Sequence, residues 1–78
     1  MAQIDLNNIK QIVTQRNTVQ DKVYTTYSVF YDGREKYLQL DTYGKSDREI
    51  PGKISQSIQI DKETARYLVS LLQSEFDL

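Results

Sequence analysis

The chain reads as an α+β domain: a small antiparallel β-sheet packed by one C-terminal α-helix, with a short N-terminal element. Three observations predict it. Residues 23–31 and 36–43 alternate with period two on either side of an Asp32-Gly33 pair. Residues 54–60 repeat that period. Residues 62–76 then run without Gly or Pro behind a capping aspartate, Asp61. At 78 residues the chain forms a single domain, 1–78, with an N-terminal segment 1–22 and a sheet plus helix over 23–76. At this size a lone hydrophobic core is marginal, and association is a common remedy.

Taken in order, Ile4, Leu6, Ile9, Ile12 and Val13 are spaced as a short amphipathic helix, with Asp5 or Asn7 as its cap. Two turns have little stability without packing. The segment is therefore expected as a flap on the sheet or a frayed arm, ahead of a dedicated partner-binding helix. Residues 14–22, TQRNTVQDK, form a polar connector.

From Val23 the composition turns β-branched and aromatic. Val23, Thr25, Tyr27, Val29 and Tyr31 share one face, which makes Tyr27 and Tyr31 structural, whereas Tyr24 and Phe30 are left for solvent or a partner. Asp32-Gly33 predicts a two-residue type I′ hairpin turn. On the return strand Leu38 and Leu40 point inward, and Tyr37 and Tyr43 face outward. The polar loop 44–53 is longer than a usual hairpin connection, and such loops are often functional or mobile. Leu38, Leu40, Ile54, Ile58, Ile60 and Leu68 are the expected core.

The helix carries two apolar stripes. Ala65, Leu68, Val69, Leu72 and Phe76 form a wide face for the sheet; Tyr67, Leu71 and Leu78 form a narrower line beside it. The second line suggests a homodimer interface at Tyr67, Leu71 and Leu78. The alternative is that the N-terminal segment covers it.

Composition removes whole classes of function. Net charge is −1, from ten basic and eleven acidic residues, so there is no domain-wide basic footprint for nucleic acid. Cysteine and histidine are both absent. That excludes thiolate metal sites and cysteine nucleophiles, and it removes the usual general base near neutral pH. Asp41, Asp47, Glu49 and Asp61 are the remaining acidic candidates, without the spacing of a calcium loop. No catalysis, metal or cofactor is expected. No run reaches the ~18 apolar residues of a spanning helix, and the N-terminus lacks a signal-peptide pattern, so a soluble cytoplasmic protein without membrane contact is expected.

Arg34, Lys36, Lys45, Arg48 and Lys53 bring positive charge into the hairpin and loop around Tyr37 and Tyr43. Aromatic faces that stack bases, with Lys and Arg following phosphates, are the means of sequence-tolerant single-strand binding. Glu35, Asp41, Asp47 and Glu49 are interleaved among them, which suits an ordinary mixed surface equally.

The order KYLQLDTY, a loop ending in PGK, ISQSIQI and a terminal helix resembles the single-stranded-DNA-binding domain of the positive-cofactor-four type transcriptional coactivators. The matching positions are Lys36, Tyr37, Pro51, Gly52, Lys53, Ile54 and Ser55, within residues 23–76. The resemblance implies a dimer-forming helix and single-strand binding. The chain departs from the family in its balanced charge, in Asp41 within the strand and in having no tryptophan. It also resembles short bacterial proteins of unknown function, some named methionyl-tRNA formyltransferase. That activity needs a larger folate-binding domain and a histidine constellation, and is not expected here.

Two functions follow. One is a non-catalytic, coactivator-like dimer that binds single-stranded nucleic acid through Arg34, Lys36, Tyr37, Tyr43, Lys45, Arg48 and Lys53, with affinity falling steeply with salt. The other is a protein-protein interaction module or accessory protein that uses the same face or the helix edge at Tyr67 and Leu71.

Overall fold

The computed structural model describes residues 1–44 and 52–78. They form β1 (Ala2–Gln3), a 3₁₀ turn (Leu6–Asn8), β2 (Thr25–Asp32), β3 (Glu35–Tyr43), β4 (Ile54–Ile60) and α1 (Lys62–Phe76). One sheet has the order β1-β4-β3-β2, with one C-terminal helix beside it. The architecture is α+β, as the alternating strands and uninterrupted helix predict.

The sheet is mixed rather than wholly antiparallel. β2, β3 and β4 pair antiparallel, whereas β1 lies parallel to β4, with Ala2 opposite Ile58 and Gln3 opposite Gln59. Two residues are too short to show an alternation, so β1 leaves no periodic signal.

The expected N-terminal helix is not formed. Asp5 instead closes a single turn: its carboxylate accepts from the Asn7 amide at 3.0 Å and from Asn8 Nδ2 at 2.6 Å. Ile9 then returns to extended backbone. Local side-chain bonds of this kind compete with helix, and two turns do not repay nucleation.

The hairpin turn also differs from its prediction. Asp32 pairs with Glu35, so the two central residues are Gly33 and Arg34. Positive φ occurs at Gly33 (64°) and not at Arg34, the pattern of a type II′ turn with Gly leading. This one-residue displacement sets the whole β2–β3 register.

At the other end of the ladder the register slips between Thr42 and Tyr43, leaving Ile54 opposite Tyr43 instead of continuing the row of Ile58 and Ile60. α1 opens at Asp61, whose carboxylate accepts from the Thr64 amide at 2.8 Å. It ends at Asp77 in left-handed backbone (φ 55°), where the Leu78 amide donates to the Gln73 carbonyl at 3.1 Å.

Among the described residues, no apolar side chain is buried; the buried ones are Asp41, Ser57 and Thr64. Of the expected core, Leu38, Ile60 and Leu68 are half-buried, while Leu40, Ile54 and Ile58 are exposed. The cause is geometric: α1 closely approaches β3 and leaves much of the sheet bare. The single chain exposes 7485 Å², whereas a compact monomer of 9.1 kDa exposes about 4,900 Å². Its radius of gyration, 14.8 Å, likewise exceeds the value of about 11.5 Å for a compact chain of this length.

Candidate functional site

Residues directly opposite one another in an antiparallel ladder share a face, so the register divides the sheet into two unlike surfaces. One is apolar: Tyr27, Leu40 and Ile58 form a row, Val29, Leu38 and Ile60 the next, and Tyr31 with Lys36 the last. The start of α1 stands over one end of this face. There a cleft of about 750 Å³ is lined by Val29, Leu38 and Ile60 together with Asp61, Lys62 and Ala65.

The opposite face is polar and aromatic. Phe30 and Tyr37 stack with ring centroids 5.5 Å apart, inclined by 22°. Toward the other end Tyr24 and Tyr43 meet edge to face at 5.4 Å, and the Tyr43 and Thr26 hydroxyls are 3.3 Å apart. Tyr37 and Tyr43 are six positions apart on one strand, so the two aromatic pairs lie about 20 Å from each other.

Between them runs a connected polar row. Ser57 Oγ donates to Asp41 Oδ1 at 2.5 Å, Gln39 Nε2 donates to the same oxygen at 2.9 Å, and Gln59 Nε2 donates to Gln39 Oε1 at 2.8 Å. Asp41 is 9% exposed. Its hydrogen bonds meet the cost of placing a carboxylate in so sheltered a position.

The predicted site residues divide accordingly. Tyr37 and Tyr43 occupy the polar-aromatic face and are half-buried by their ring partners. Lys36 lies on the apolar side, with Nζ 5.8 Å from the centre of the Tyr31 ring. Arg34 sits in the hairpin turn and lines the cleft beside α1, and Lys53 is exposed immediately before β4. Lys45 and Arg48 lie outside the described residues, as do Asp47, Glu49 and Pro51. The cations therefore do not gather on the aromatic surface; among the described residues they stand at its two ends or behind it.

The tyrosine assignments change too. Tyr27 and Tyr31, expected to be structural, are 72% and 66% exposed, because α1 does not reach across the apolar face. The expected dimer residues Tyr67 and Leu71 line a cleft of about 380 Å³ with Leu72 and Phe76 and with Ile9, Lys10 and Gln11 of the same chain. The N-terminal segment thus lies along that stripe. Leu78, by contrast, is 81% exposed.

Sequence reasoning missed the row from Gln59 to Ser57 and the Phe30–Tyr37 stack. The signal was present: counting outward from Gly33-Arg34 pairs Phe30 with Tyr37 and Thr26 with Asp41, whereas counting from Asp32-Gly33 does not. Among the described residues no group of three or more carboxylates converges for a metal ion, and no helix is long and apolar enough to cross a membrane. Compared with known proteins, the chain matches no family model, no curated relative and no solved structure.

Proposed function

We propose that the protein is a non-catalytic cytoplasmic binding module that acts as a homodimer, closing its apolar sheet face against a second copy and binding single-stranded nucleic acid on the other. The observation that carries this reading is the division of one sheet into an apolar face half open to water and a polar-aromatic face with a hydrogen-bonded centre. The surplus exposed area, about 2,600 Å² per chain over a compact monomer, is enough to supply an obligate dimer, which removes roughly 1,000–2,500 Å² from each partner. Tyr24, Phe30, Tyr37 and Tyr43 offer rings to bases, while Gln39 and Gln59 offer amides to base edges. Arg34 and Lys53 stand at the two ends, where phosphates of a bound strand would pass.

The second reading is an extended protein segment as ligand. It is favoured by Asp41, a carboxylate at the centre of the aromatic face, which disfavours a polyanion there. Fluorescence anisotropy of a labelled poly-thymidine strand at two salt concentrations separates the two. Binding at low salt that weakens as salt rises supports nucleic acid. No binding at low salt overturns it and leaves the protein ligand.

A further inference from the structure

We infer that residues 10–23 are a dimer arm, which packs its aliphatic side chains onto a second copy of the chain; this rests on the homodimer proposed above. The segment has no helix or strand and is exposed throughout. Yet it carries Ile12, Val13 and Val19, which are 79%, 93% and 101% exposed. The hydrogen bonds of Arg16 and Gln20 are local, to Thr14 and Thr18. Aliphatic side chains in an extended polar connector gain nothing from water, and their burial elsewhere is favourable.

The topology explains why the arm is long. It leaves the β1 edge of the sheet and re-enters at β2, the opposite edge. That crossing spans about 15 Å laterally, three strand spacings, and must also return along the strands because β1 and β2 run parallel, whereas residues 10–23 reach up to about 50 Å when extended. The surplus length is available to a neighbour.

Three features identify the occupant as a second copy. First, the surplus exposed area per chain is more than enough for the roughly 1,000–2,500 Å² that an obligate dimer removes from each partner. Second, the arm begins at an apolar groove that continues beyond it. Ile9 and Gln11 line the groove with Leu72 and Phe76, and these helix residues remain 46% and 69% exposed. Third, the charges are complementary. Beyond Lys10, which lines the cleft on its own helix, the arm carries Arg16 and Lys22 against Asp21, while the last turn of α1 has no basic residue and is followed by Asp77. A basic arm laid on the negative end of a partner's helix is favoured by the helix dipole as well.

Nuclear Overhauser measurements on dimers mixed from ¹³C-labelled and unlabelled chains test this directly. Cross-chain contacts from the methyls of Ile12, Val13 and Val19 to the partner's apolar residues are expected. Methyls that show intrachain contacts alone, or narrow random-coil lines within a dimer, overturn the arm and leave the dimer standing. A monomer by sedimentation overturns both. In parallel, the double variant Ile12→Asp with Val13→Asp is expected to raise the dimer dissociation constant at least tenfold, with helix content unchanged at high protein concentration. An unchanged constant also overturns the arm.

Discussion

Asp41 on β3 and Ser57 on β4 are joined by a 2.5 Å hydrogen bond and are two of the three buried residues among those described. The bond specifies register, because a one-residue slip of β4 against β3 would leave Asp41 and Ser57 on opposite faces. Replacing Ser57 with Ala removes a donor from a sheltered carboxylate, at an expected cost of about 1–3 kcal/mol. Urea unfolding at fixed protein concentration measures it. Combining Ser57→Ala with Asp41→Asn should recover part of the loss, since the amide carries no charge to satisfy.

The Asp61 cap gives the protein an acid-sensitive element. The hydrogen bond from the Thr64 amide holds the Asp61 carboxyl below its ordinary value of 3.8. A carboxyl depressed in the folded state stabilises the fold above its unfolded pKa, and that contribution disappears as pH falls through the folded one. Thermal unfolding followed from pH 6 down to pH 2 should therefore show an Asp61-dependent loss beginning near 3.8. The Asp61→Asn variant should lack that component while keeping the helix.

The opposite end of the helix can be improved. Asp77 is the one described residue other than glycine with positive φ, and it places negative charge at the negative end of the dipole. Asp77→Gly relieves both, and is expected to stabilise by about 0.5–1 kcal/mol. A higher midpoint in thermal unfolding is the check.

How much could be read from the sequence depended on how local the determinants were. Strand and helix bounds follow from period and capping, so β4 and α1 match their expected ranges. The hairpin missed by one residue, because Asp-Gly and Gly-Arg both satisfy a two-residue turn and the register decides between them. β1 was invisible, since two residues paired to a strand far along the chain carry no periodicity. The expected core failed for a different reason: Leu40 and Ile58 point where alternation placed them, but no element of the same chain covers them. The aromatic residues of the site were legible one by one. Their pairing, and the separation of Lys36 from Tyr37, required the register.

If the polar-aromatic face binds the ligand, substitutions on the two faces must separate. Tyr37→Ala and Tyr43→Ala should each weaken binding of a poly-thymidine strand by about 1–3 kcal/mol. Lys36→Ala, on the apolar side beside Tyr31, should leave it near the parent value. Anisotropy titrations at one salt concentration compare the three.

The central claim is that the bare apolar face is closed by a second copy, and the most direct measurement is molecular mass in solution by size-exclusion chromatography with light scattering. A dimer of the 9.1 kDa chain at low micromolar concentration is expected, with a thermal midpoint that rises with protein concentration. A folded monomer persisting at high micromolar concentration would contradict it.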